Sequence, residues 1–509
     1  MSGSDRFGIR ARWVALTLLL PVFCLAQNFV FGPNIRVNDD PAGTCEHLLR
    51  SPGQRMIAAR GETVYVTWLD NRNAGHAYFA RSMDGGQSFE PNVRVDSSRN
   101  LGIWSPSLAM DDCGGTHVCW PDYRTTADSV YVCYTKSTDG GRHFSVPVPA
   151  SAFSANNLAA CIAVSRNGQY VYVARDTGYP FSLAEVILSR STDGGRTFLH
   201  QETKVSDDSI RSAANPVVAV FDDTIVLVAW DNDLSLGYGI GVHFARSTDG
   251  GATFGPSILL NDTAGGDSLN IYYPSVGTDS VGRVYVVYYN GQYPQFGLRL
   301  AVSEDTGRTF LHERAIRFGG WPTSLCVLPD GQLFVAFGAG GTSDIGFTYS
   351  PNRGDTFLPW VSPVHGGGSF LTYPTVAANR AGQAFIAWED SRNGGYADVY
   401  FAAGTMSAIS ERAEIGKTAA EFRVLSNPSR APVRIVGPPG RSSPLQMQVF
   451  DLTGRLVKEL SSQPTAGDMG VTSWDGMDAA GRAVQSGIYF VRIRASDGVR
   501  ALKVHYIAD

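Results

Sequence analysis

Residues 247–254 read STDGGATF, and this octapeptide is one of six similar copies along the chain. The others are SMDGGQSF, STDGGRHF, STDGGRTF, SEDTGRTF and SPNRGDTF, which begin at Ser82, Ser137, Ser191, Ser303 and Ser350. The third position of the copies is held by Asp84, Asp139, Asp193, Asp249, Asp305 and Asn352. The copies are separated by a nearly constant number of residues, and such a spacing indicates a repeat architecture.

The octapeptide has the chemistry of a tight turn. An Asp carboxylate accepts hydrogen bonds from backbone N–H groups a few residues on, and Gly supplies a backbone conformation with positive φ. The closing Phe is expected to bury its ring against its own sheet. Because a catalytic site rarely occurs six times in one fold, these acidic residues are predicted to be structural.

Each repeat also contains short strands with alternating apolar residues, such as TVYVTWLD and RVYVVYYN. Four antiparallel strands per repeat form a propeller blade. The second strands are predicted to begin near Thr63, Thr116, Gln169, Thr224, Arg283, Gln332 and Gln383. The chain is therefore predicted to be all-β, with a β-propeller of seven blades, or alternatively six. The seventh repeat lacks a fourth strand, which residues 31–39 are expected to supply, since closure removes exposed sheet edges.

The six copies resemble the Asp boxes (BNR repeats) of sialidase-like β-propellers. The second copy departs from the pattern at His143 and the sixth at Asn352. The resemblance implies a propeller, and it implies little about activity because the same box occurs in propellers with unrelated functions. Known sialidases of this family have six blades, so a count of seven is a departure.

A second module follows the propeller. Its Gly turns and alternating strands, including DLTGR (451–455), WDG (474–476) and SGIY (486–489), predict a small β-sandwich. These motifs resemble the C-terminal sorting domains of type IX secretion and the related FlgD-like immunoglobulin-type fold. The resulting division is a signal peptide at 1–26, the propeller at 27–405, a linker at 406–420 and the sandwich at 421–509.

Export is predicted by the first residues of the chain. A basic segment precedes thirteen apolar residues from Trp13 to Leu25, which are too few to span a bilayer. The mature chain is therefore expected to be secreted or held on the outer surface of a bacterium, without a transmembrane segment and with the secretion machinery as partner of its C-terminal module. The net charge of −5 argues against nucleic-acid binding.

The cysteines and acidic loops suggest no cofactor. Cys45, Cys113, Cys119, Cys133, Cys161 and Cys326 would remain after cleavage, and their pairing is open, with a bridge among the three in blade two as one possibility. Since no established Cys/His zinc spacing is present, no metal is predicted. The acidic pairs 207–208 and 231–233 are interpreted as solvated turns.

Ligand binding is expected at the end of the propeller opposite the octapeptides, where second and third strands connect. A recurring W-x-D-x-R motif supplies the candidate pairs Asp70 with Arg72, Asp122 with Arg124, and Asp390 with Arg392. In sialidases an arginine triad holds the substrate carboxylate, so the resemblance implies that these arginines converge. The alternative is that each Asp pairs with its own Arg and fixes a loop.

Four aromatic residues precede the proline of a first strand: Trp104, Tyr273, Trp321 and Tyr373. Around the mouth of a funnel they would provide stacking surfaces for sugar rings. The alternative is packing between blades.

The sequence favours binding over catalysis. The Arg-Ile-Pro motif of sialidases is absent, because the nearest text is Asn34-Ile-Arg36-Val. Few glutamates fall near the candidate end, where Glu185, Glu389 and Glu46 are the ones placed. Tyr179 with Glu185 is a candidate for the tyrosine nucleophile and its activating glutamate, but only their spacing supports it. The predicted function is non-catalytic binding of an extracellular glycan. The alternatives are an exo-α-sialidase or other glycoside hydrolase with a diverged site, and a scaffold that binds a protein ligand.

Overall fold

The computed structural model describes most of two compact units, residues 1–409 and 410–509. The described residues are 27–50, 53, 55–73, 75–96, 106–122, 130–152, 159–177, 184–199, 201–207, 212–232, 241–261, 271–291, 296–311, 313–317, 320, 322–339, 344–368, 370–408, 423–424, 432–436, 445–451, 456–462, 471–495 and 498–508. The predicted signal peptide and most of the predicted linker lie outside them. In the described part no helix has the length and apolar character needed to cross a membrane.

Antiparallel sheets make up the first unit. The chain begins with β1 (Gln27–Phe31) and β2 (Ile35–Arg36). Blade one contains β3 (His47–Leu48), β4 (Ile57–Arg60), β5 (Thr63–Asp70), a 3-10 turn (Asn71–Asn73), β6 (His76–Ser82) and β7 (Val93–Arg94). Blade two contains β8 (Ser107–Met110), β9 (Thr116–Asp122), β10 (Tyr131–Ser137) and β11 (Val148–Pro149). Blade three contains β12 (Ala160–Val164), β13 (Val171–Asp176), β14 (Val186–Ser191) and β15 (Thr203–Lys204).

The remaining blades follow the same order. Blade four contains β16 (Ala213–Phe221), β17 (Ile225–Asn232), β18 (Val242–Ser247) and β19 (Ile258–Leu259). Blade five contains β20 (Ile271–Thr278), β21 (Val284–Asn290), β22 (Gly297–Ser303) and β23 (Arg314–Arg317). Blade six contains β24 (Thr323–Val327), β25 (Leu333–Gly338) and β26 (Ile345–Ser350), and blade seven contains β27 (Leu371–Ala378), β28 (Ala384–Asp390) and β29 (Asp398–Ala408).

The sheets close into a ring. The inner strands β4, β8, β12, β16, β20, β24 and β27 each contact the next, and β27 contacts β4. Among the described residues the ring therefore has seven blades, which confirms the predicted propeller. The expected closure is confirmed as well, because β1 pairs with β29 from Gln27 opposite Ala408 to Phe31 opposite Gly404, and β2 pairs with the same strand.

The octapeptides form turns between third and fourth strands. In the copy at 247–254, Ser247 Oγ donates to Asp249 Oδ1 at 2.7 Å, while Thr253 donates to the carboxylate from its backbone N–H and its hydroxyl. The two divergent copies keep this pattern. His143 Nδ1 lies 2.7 Å from Asp139 Oδ2, and Asn352 Oδ1 accepts the N–H of Thr356 at 3.0 Å. Both substitutions therefore preserve the turn.

These turns also hold neighbouring blades together. A Cβ on Gly141 would lie 2.3 Å from the ring of Phe79, and one on Gly86 would lie 2.1 Å from Phe401, both on the third strand of the preceding blade. The Phe of the turn packs on the same residue, since the rings of Phe144 and Phe79 are 5.2 Å apart. The cluster around Phe144 contains residues of both blades, so this Phe joins two sheets, whereas the sequence predicted packing on its own sheet alone. Gly is required both for its positive φ and for close approach.

Among the described residues no disulfide joins any two of the six cysteines of the predicted mature chain. Cys119 and Cys133 belong to neighbouring strands of blade two but to different core clusters. Cys133 lies opposite Trp120, the residue next to Cys119. Because successive side chains of a strand point to opposite faces of the sheet, Cys119 and Cys133 lie on opposite faces and no bridge joins them.

The second unit is a small β-sandwich. One sheet contains β30 (Arg423–Val424), β31 (Val433–Val436) and β34 (Val471–Trp474), and the other contains β32 (Leu445–Asp451), β33 (Leu456–Ser462), β35 (Gly487–Ala495) and β36 (Gly498–Tyr506). The buried Trp474 packs against the rings of Tyr489 and Tyr506. The predicted WDG and SGIY motifs thus contribute their aromatic residues to one core.

Candidate functional site

The end of the propeller opposite the octapeptide turns contains the first residues of the inner strands. Three of these strands carry a β-bulge just before a proline, between residues 214 and 217, 272 and 275, and 372 and 375. The residue at the bulge has positive φ in each case: 50° for Asn215, 54° for Tyr273 and 50° for Tyr373. Positive φ is uncommon for a non-glycine residue and costs on the order of 1–3 kcal/mol. Such strain concentrates at functional sites, which makes these positions candidates.

Buried carboxylates at the ends of second strands stabilise this arrangement. Asp231 of blade four accepts the backbone N–H of Tyr273 in blade five at 2.8 Å, and the side-chain amide of Asn215 at 3.1 Å. Glu389 of blade seven accepts the backbone N–H of Leu49 in blade one at 2.7 Å. The same device therefore links two pairs of blades, and the interpretation of Asp231 as part of a solvated turn was wrong because this carboxylate is fully buried.

Glu389, Arg50 and Tyr373 form a cluster at the blade seven site. The Arg50 guanidinium carbon lies 4.9 Å from the centre of the Tyr373 ring, and Arg50 Nε lies 3.5 Å from Glu389 Oε1. Arg50 Nη2 lies 3.9 Å from Oε1 of Glu46, whose side chain is partly exposed. Within the described structure Glu389 Oε2 is buried and has no hydrogen-bond partner. A buried polar atom without a partner is costly, so this oxygen leaves the cluster with an unmet hydrogen bond.

The titration of this cluster is shifted by burial. Burial raises the pKa of Glu389 to about 7, although Arg50 and the N–H of Leu49 oppose the shift. Burial also raises the pKa of Tyr373, with Arg50 opposing and Glu389 adding to the effect. Around neutral pH a large fraction of molecules therefore carries an uncharged carboxyl at position 389, which both donates and accepts hydrogen bonds.

Three described residues between β3 and β4, Gly53, Arg55 and Met56, contact strands on other sides of the ring. The carbonyl of Gly53 accepts a hydrogen bond from Ser275 Oγ of blade five at 3.3 Å, and a Cβ on Gly53 would lie 2.6 Å from Val217 of blade four. Arg55 donates to the carbonyl of Val276, and the N–H of Met56 donates to Thr375 Oγ1 at 3.3 Å. Chain from blade one therefore contacts the far side of the ring and fills part of its axis.

The W-x-D-x-R motifs form corners at the outer part of the same end. In blade one, Arg72 binds the carboxylate of Asp70 through Nε and Nη2 at 2.9 and 2.7 Å, and its guanidinium carbon lies 4.2 Å from the centre of the Tyr78 ring. In blade seven, Arg392 binds Asp390 through the same two nitrogens. Its guanidinium carbon lies 4.0 Å from the centre of the Tyr400 ring. Trp68 Nε1, Trp120 Nε1 and Trp388 Nε1 donate to Asp70, Asp122 and Asp390.

These corners show what each predicted arginine contacts. Arg72 and Arg392 each bind the Asp of their own motif, as in the loop-fixing alternative, and Asp70 and Asp390 are completely buried. Burial opposes the ionisation of Asp70, but the contacts with His47 and Arg72 hold its pKa well below the usual range. The structure places Asp122 at the matching position of blade two, whereas Arg124 lies outside the described residues.

Other predicted residues divide between the site and regions that are not described. Tyr273 and Tyr373 are half-buried at their bulges. Trp104, Trp321 and Tyr179 lie outside the described residues. Lys204 Nζ in β15 donates to Glu185 Oε1 at 2.5 Å on the surface of blade three.

Sequence reasoning did not identify Arg50. It placed Glu389 near the candidate end and Asp390 in a binding motif, but it did not predict that Glu389 is buried against Arg50. Arg50 lies between β3 and β4, outside the repeated strand and turn patterns, so no repeat pattern pointed to it. Glu389 and Asp231 share a sequence pattern, because each follows the buried Trp of a second strand, Trp388 and Trp230. That pattern could have linked the two acidic residues.

Several solved structures are similar to this chain. A protein of unknown function from Dyadobacter fermentans DSM 18053 is 16% identical with a TM-score of 0.46, and the match covers 62% of this chain and 98% of that one. An ulvan lyase is 12% identical with a TM-score of 0.49, over 72% of this chain and 95% of that one. A Hadza microbial sialidase is 13% identical with a TM-score of 0.44, over 66% and 73%.

At these identities and TM-scores the similarities support no statement about activity, and the fold assignment rests on the sheets themselves. No protein-family profile matches the chain. No curated protein matches it either.

Proposed function

We propose that this protein is an exported β-propeller that binds an extracellular glycan at the end opposite the octapeptide turns. The observation that supports the proposal is the cluster of Tyr373, Arg50 and Glu389, in which a buried carboxyl oxygen has no partner within the described structure. Aromatic rings beside hydrogen-bonding groups suit the apolar faces and hydroxyl groups of sugars. A neutral carboxyl at position 389 would both donate to and accept from a sugar hydroxyl.

The second candidate is a glycoside hydrolase of the exo-α-sialidase type. The observation in its favour is that a tyrosine, a glutamate and an arginine lie together at the expected end. Activation of a tyrosine nucleophile requires an ionised base and a lowered tyrosine pKa. Here burial raises the pKa of both Tyr373 and Glu389, so the cluster is better suited to binding than to nucleophilic attack.

The test is a glycan-array screen of the purified chain together with a fluorogenic sialoside assay. Binding without turnover, reduced by Tyr373→Ala, is the expected result. Tyr396→Ala is the matched control, because Tyr396 is an exposed tyrosine of blade seven at the same end. Hydrolysis of the sialoside that is abolished by Tyr373→Phe would support the glycoside hydrolase and contradict the proposal of binding alone. The absence of both glycan binding and hydrolysis would favour a protein ligand instead.

The outer corners are a second part of the proposed ligand site. Arg72 and Arg392 are partly exposed beside Asp70 and Asp390, so an acidic sugar could contact the exposed part of each guanidinium. Their Nη1 groups already donate to Asp39 and to the carbonyl of His365, which such a ligand would have to share or displace. Tyr273 and the aromatic positions 104 and 321, with Asp122 and Arg124, complete the set proposed from the sequence. Loss of binding in Arg392→Gln with retained fold would support this extension.

Export and sorting are separate proposals. Residues 1–26 are proposed to be a signal peptide, the octapeptides Asp boxes, and residues 421–509 a type IX sorting domain of the FlgD-like kind that addresses the protein to the outer surface of a bacterium. The sandwich core formed by Trp474, Tyr489 and Tyr506 supports an independently folded module. Deletion of residues 410–509 in a host with type IX secretion should trap the propeller in the periplasm. Surface display of the truncated chain would contradict this.

A further inference from the structure

We propose that Asp40, Cys45, His47 and Asp70 form a zinc-binding site at the junction between blades one and seven. The donor atoms of the first three residues lie within 4.8 Å of one another. His47 Nε2 lies 3.0 Å from Asp40 Oδ1 and 3.3 Å from Asp70 Oδ2. Asp70 also binds Arg72 of the outer corner in the proposed glycan site, whereas Cys45 and His47 belong to the zinc site alone. Metal binding is therefore measured directly and not through glycan affinity.

The sulfur completes a four-donor set. Cys45 Sγ lies 3.2 Å from Asp40 Oδ2, 3.7 Å from His47 Nε2 and 3.9 Å from Asp70 Oδ1. In a tetrahedral zinc site with bonds of about 2.0 Å to N or O and 2.3 Å to S, ligand atoms are about 3.3–3.6 Å apart. The separations are close to that range, but His47 and Cys45 contact different oxygens of Asp40 and of Asp70. Asp70 Oδ2 also accepts from Trp68 and Arg72, so binding an ion through one oxygen of each carboxylate requires both carboxylates to rotate.

The orientation of the imidazole indicates a cation. His47 Nδ1 lies 2.9 Å from the carbonyl oxygen of Ala397, which can only accept, so Nδ1 carries the proton. In the neutral ring Nε2 would then present a lone pair to two carboxylates. That contact is unfavourable unless a proton or a metal ion lies between the atoms. A metal-bound histidine characteristically donates its other N–H to a backbone carbonyl, as seen here.

The surrounding charge is compatible with a divalent ion. Asp40, Asp70 and Asp398 are buried carboxylates, and the arginines in contact with them are Arg72 and Arg36. The described group therefore has three negative and two positive charges with a neutral His47. Zn²⁺ together with a Cys45 thiolate would bring the total to zero, as would a proton on His47 with a neutral thiol. Both occupants fit the charge, and Cys45 discriminates between them because only the metal uses the sulfur as a ligand.

Bound zinc would stabilise the closure of the ring. His47 belongs to β3, Asp70 ends β5, and Asp40 and Cys45 lie on the segment that connects the closing strand β2 to blade one. The carbonyl of Ala397 and the carboxylate of Asp398 come from blade seven, where Asp398 accepts from Asn38 at 2.8 Å. One ion would therefore join the segment after β2 to blade one, and through His47 to blade seven.

The test uses the full chain after treatment with a chelator and dialysis against Zn²⁺ or Co²⁺. Metal analysis should find one zinc per chain, and the cobalt form should show thiolate-to-cobalt charge-transfer absorption. Cys45→Ser and His47→Gln should weaken zinc binding at least about tenfold. Cys113→Ser and His143→Gln are matched controls, because Cys113 is an exposed thiol and His143 forms a surface pair with Asp139.

The site is supported if the wild type binds one zinc per chain and its cobalt form shows the charge-transfer band. The band should be lost in Cys45→Ser and retained in Cys113→Ser. Wild type that binds no zinc, or a cobalt form without the thiolate band, overturns it and leaves a protonated His47 as the cation. The spectrum of the wild type decides the matter even if a cluster variant does not fold.

Discussion

The two ends of the propeller are built from the same blades but follow different rules. At one end six octapeptide turns repeat one hydrogen-bond pattern, from Asp84 to Asn352, and each Gly packs on the preceding blade. At the other end the equivalent positions differ from blade to blade: Asn215, Tyr273 and Tyr373 occupy the same bulge. Repetition therefore marks the residues that hold the ring together, and variation marks the residues available for a ligand.

The largest effect is expected for Gly141→Ala. The alanine would have to adopt the positive φ of Gly141, and its Cβ would lie 2.3 Å from the Phe79 ring. The free energy of unfolding should therefore fall by about 3 kcal/mol. Gly61→Ala is the control, because Gly61 has φ of 59° but no atom within 4 Å of the added Cβ. It should lose only about 1 kcal/mol. Denaturant unfolding of both variants measures the difference, and equal losses would show that contact between blades is unimportant at the turn.

The next effect concerns Glu389→Gln and depends on pH. The pKa of Glu389 is raised in the folded state, so its contribution to stability is complete below the unfolded value near 4.5 and is lost as pH rises through about 7. Glutamine cannot ionise. The variant should therefore match wild type near pH 4.5 and gain about 2 kcal/mol relative to it at pH 8. Thermal unfolding across this range tests the sign, and a relative loss at pH 8 would mean that the ionised carboxylate stabilises the fold.

A smaller effect is expected for Asp249→Asn in an octapeptide turn. Asn352 shows that an amide can accept the same backbone N–H, so the variant should lose less than about 1 kcal/mol at pH 7. Burial slightly opposes ionisation of Asp249, but hydrogen bonds from Thr253 and Ser247 lower its pKa to about 2. Its contribution is present above the unfolded pKa and is lost as pH falls through about 2. Wild type should therefore lose more stability than the variant between pH 4 and pH 2, and parallel curves would contradict the assignment.

The repeated end could be predicted from sequence because its residues act locally. The octapeptides predicted the blades and the positions of the second strands, since each depends on a few adjacent residues. The closure between β1 and β29 joins distant residues, and it was predicted because the seventh repeat lacks a fourth strand. The packing of Phe144 on Phe79 was missed because it joins two blades. No local sequence pattern predicts which residue of a neighbouring blade an aromatic ring will contact.

The other end was predicted only in outline. Sequence placed Tyr273 and Tyr373 near the funnel from the proline that follows each of them, but it could not show the positive φ or the contact with Arg50. Arg50 and Cys45 lie on the irregular segment around β3, and their partners, Glu389 and Asp70, are brought close only when the ring closes. Such contacts have no sequence period, which is why the proposed zinc ligands were not recognised.

The most direct test of the account compares one substitution at each end in the same binding assay. Using the strongest glycan from the array, the dissociation constant should rise at least about tenfold in Tyr373→Ala, as expected for removal of a stacking side chain. It should be unchanged in Asp249→Asn. Weakened binding in Asp249→Asn with unchanged binding in Tyr373→Ala would place the ligand at the octapeptide end and contradict the account.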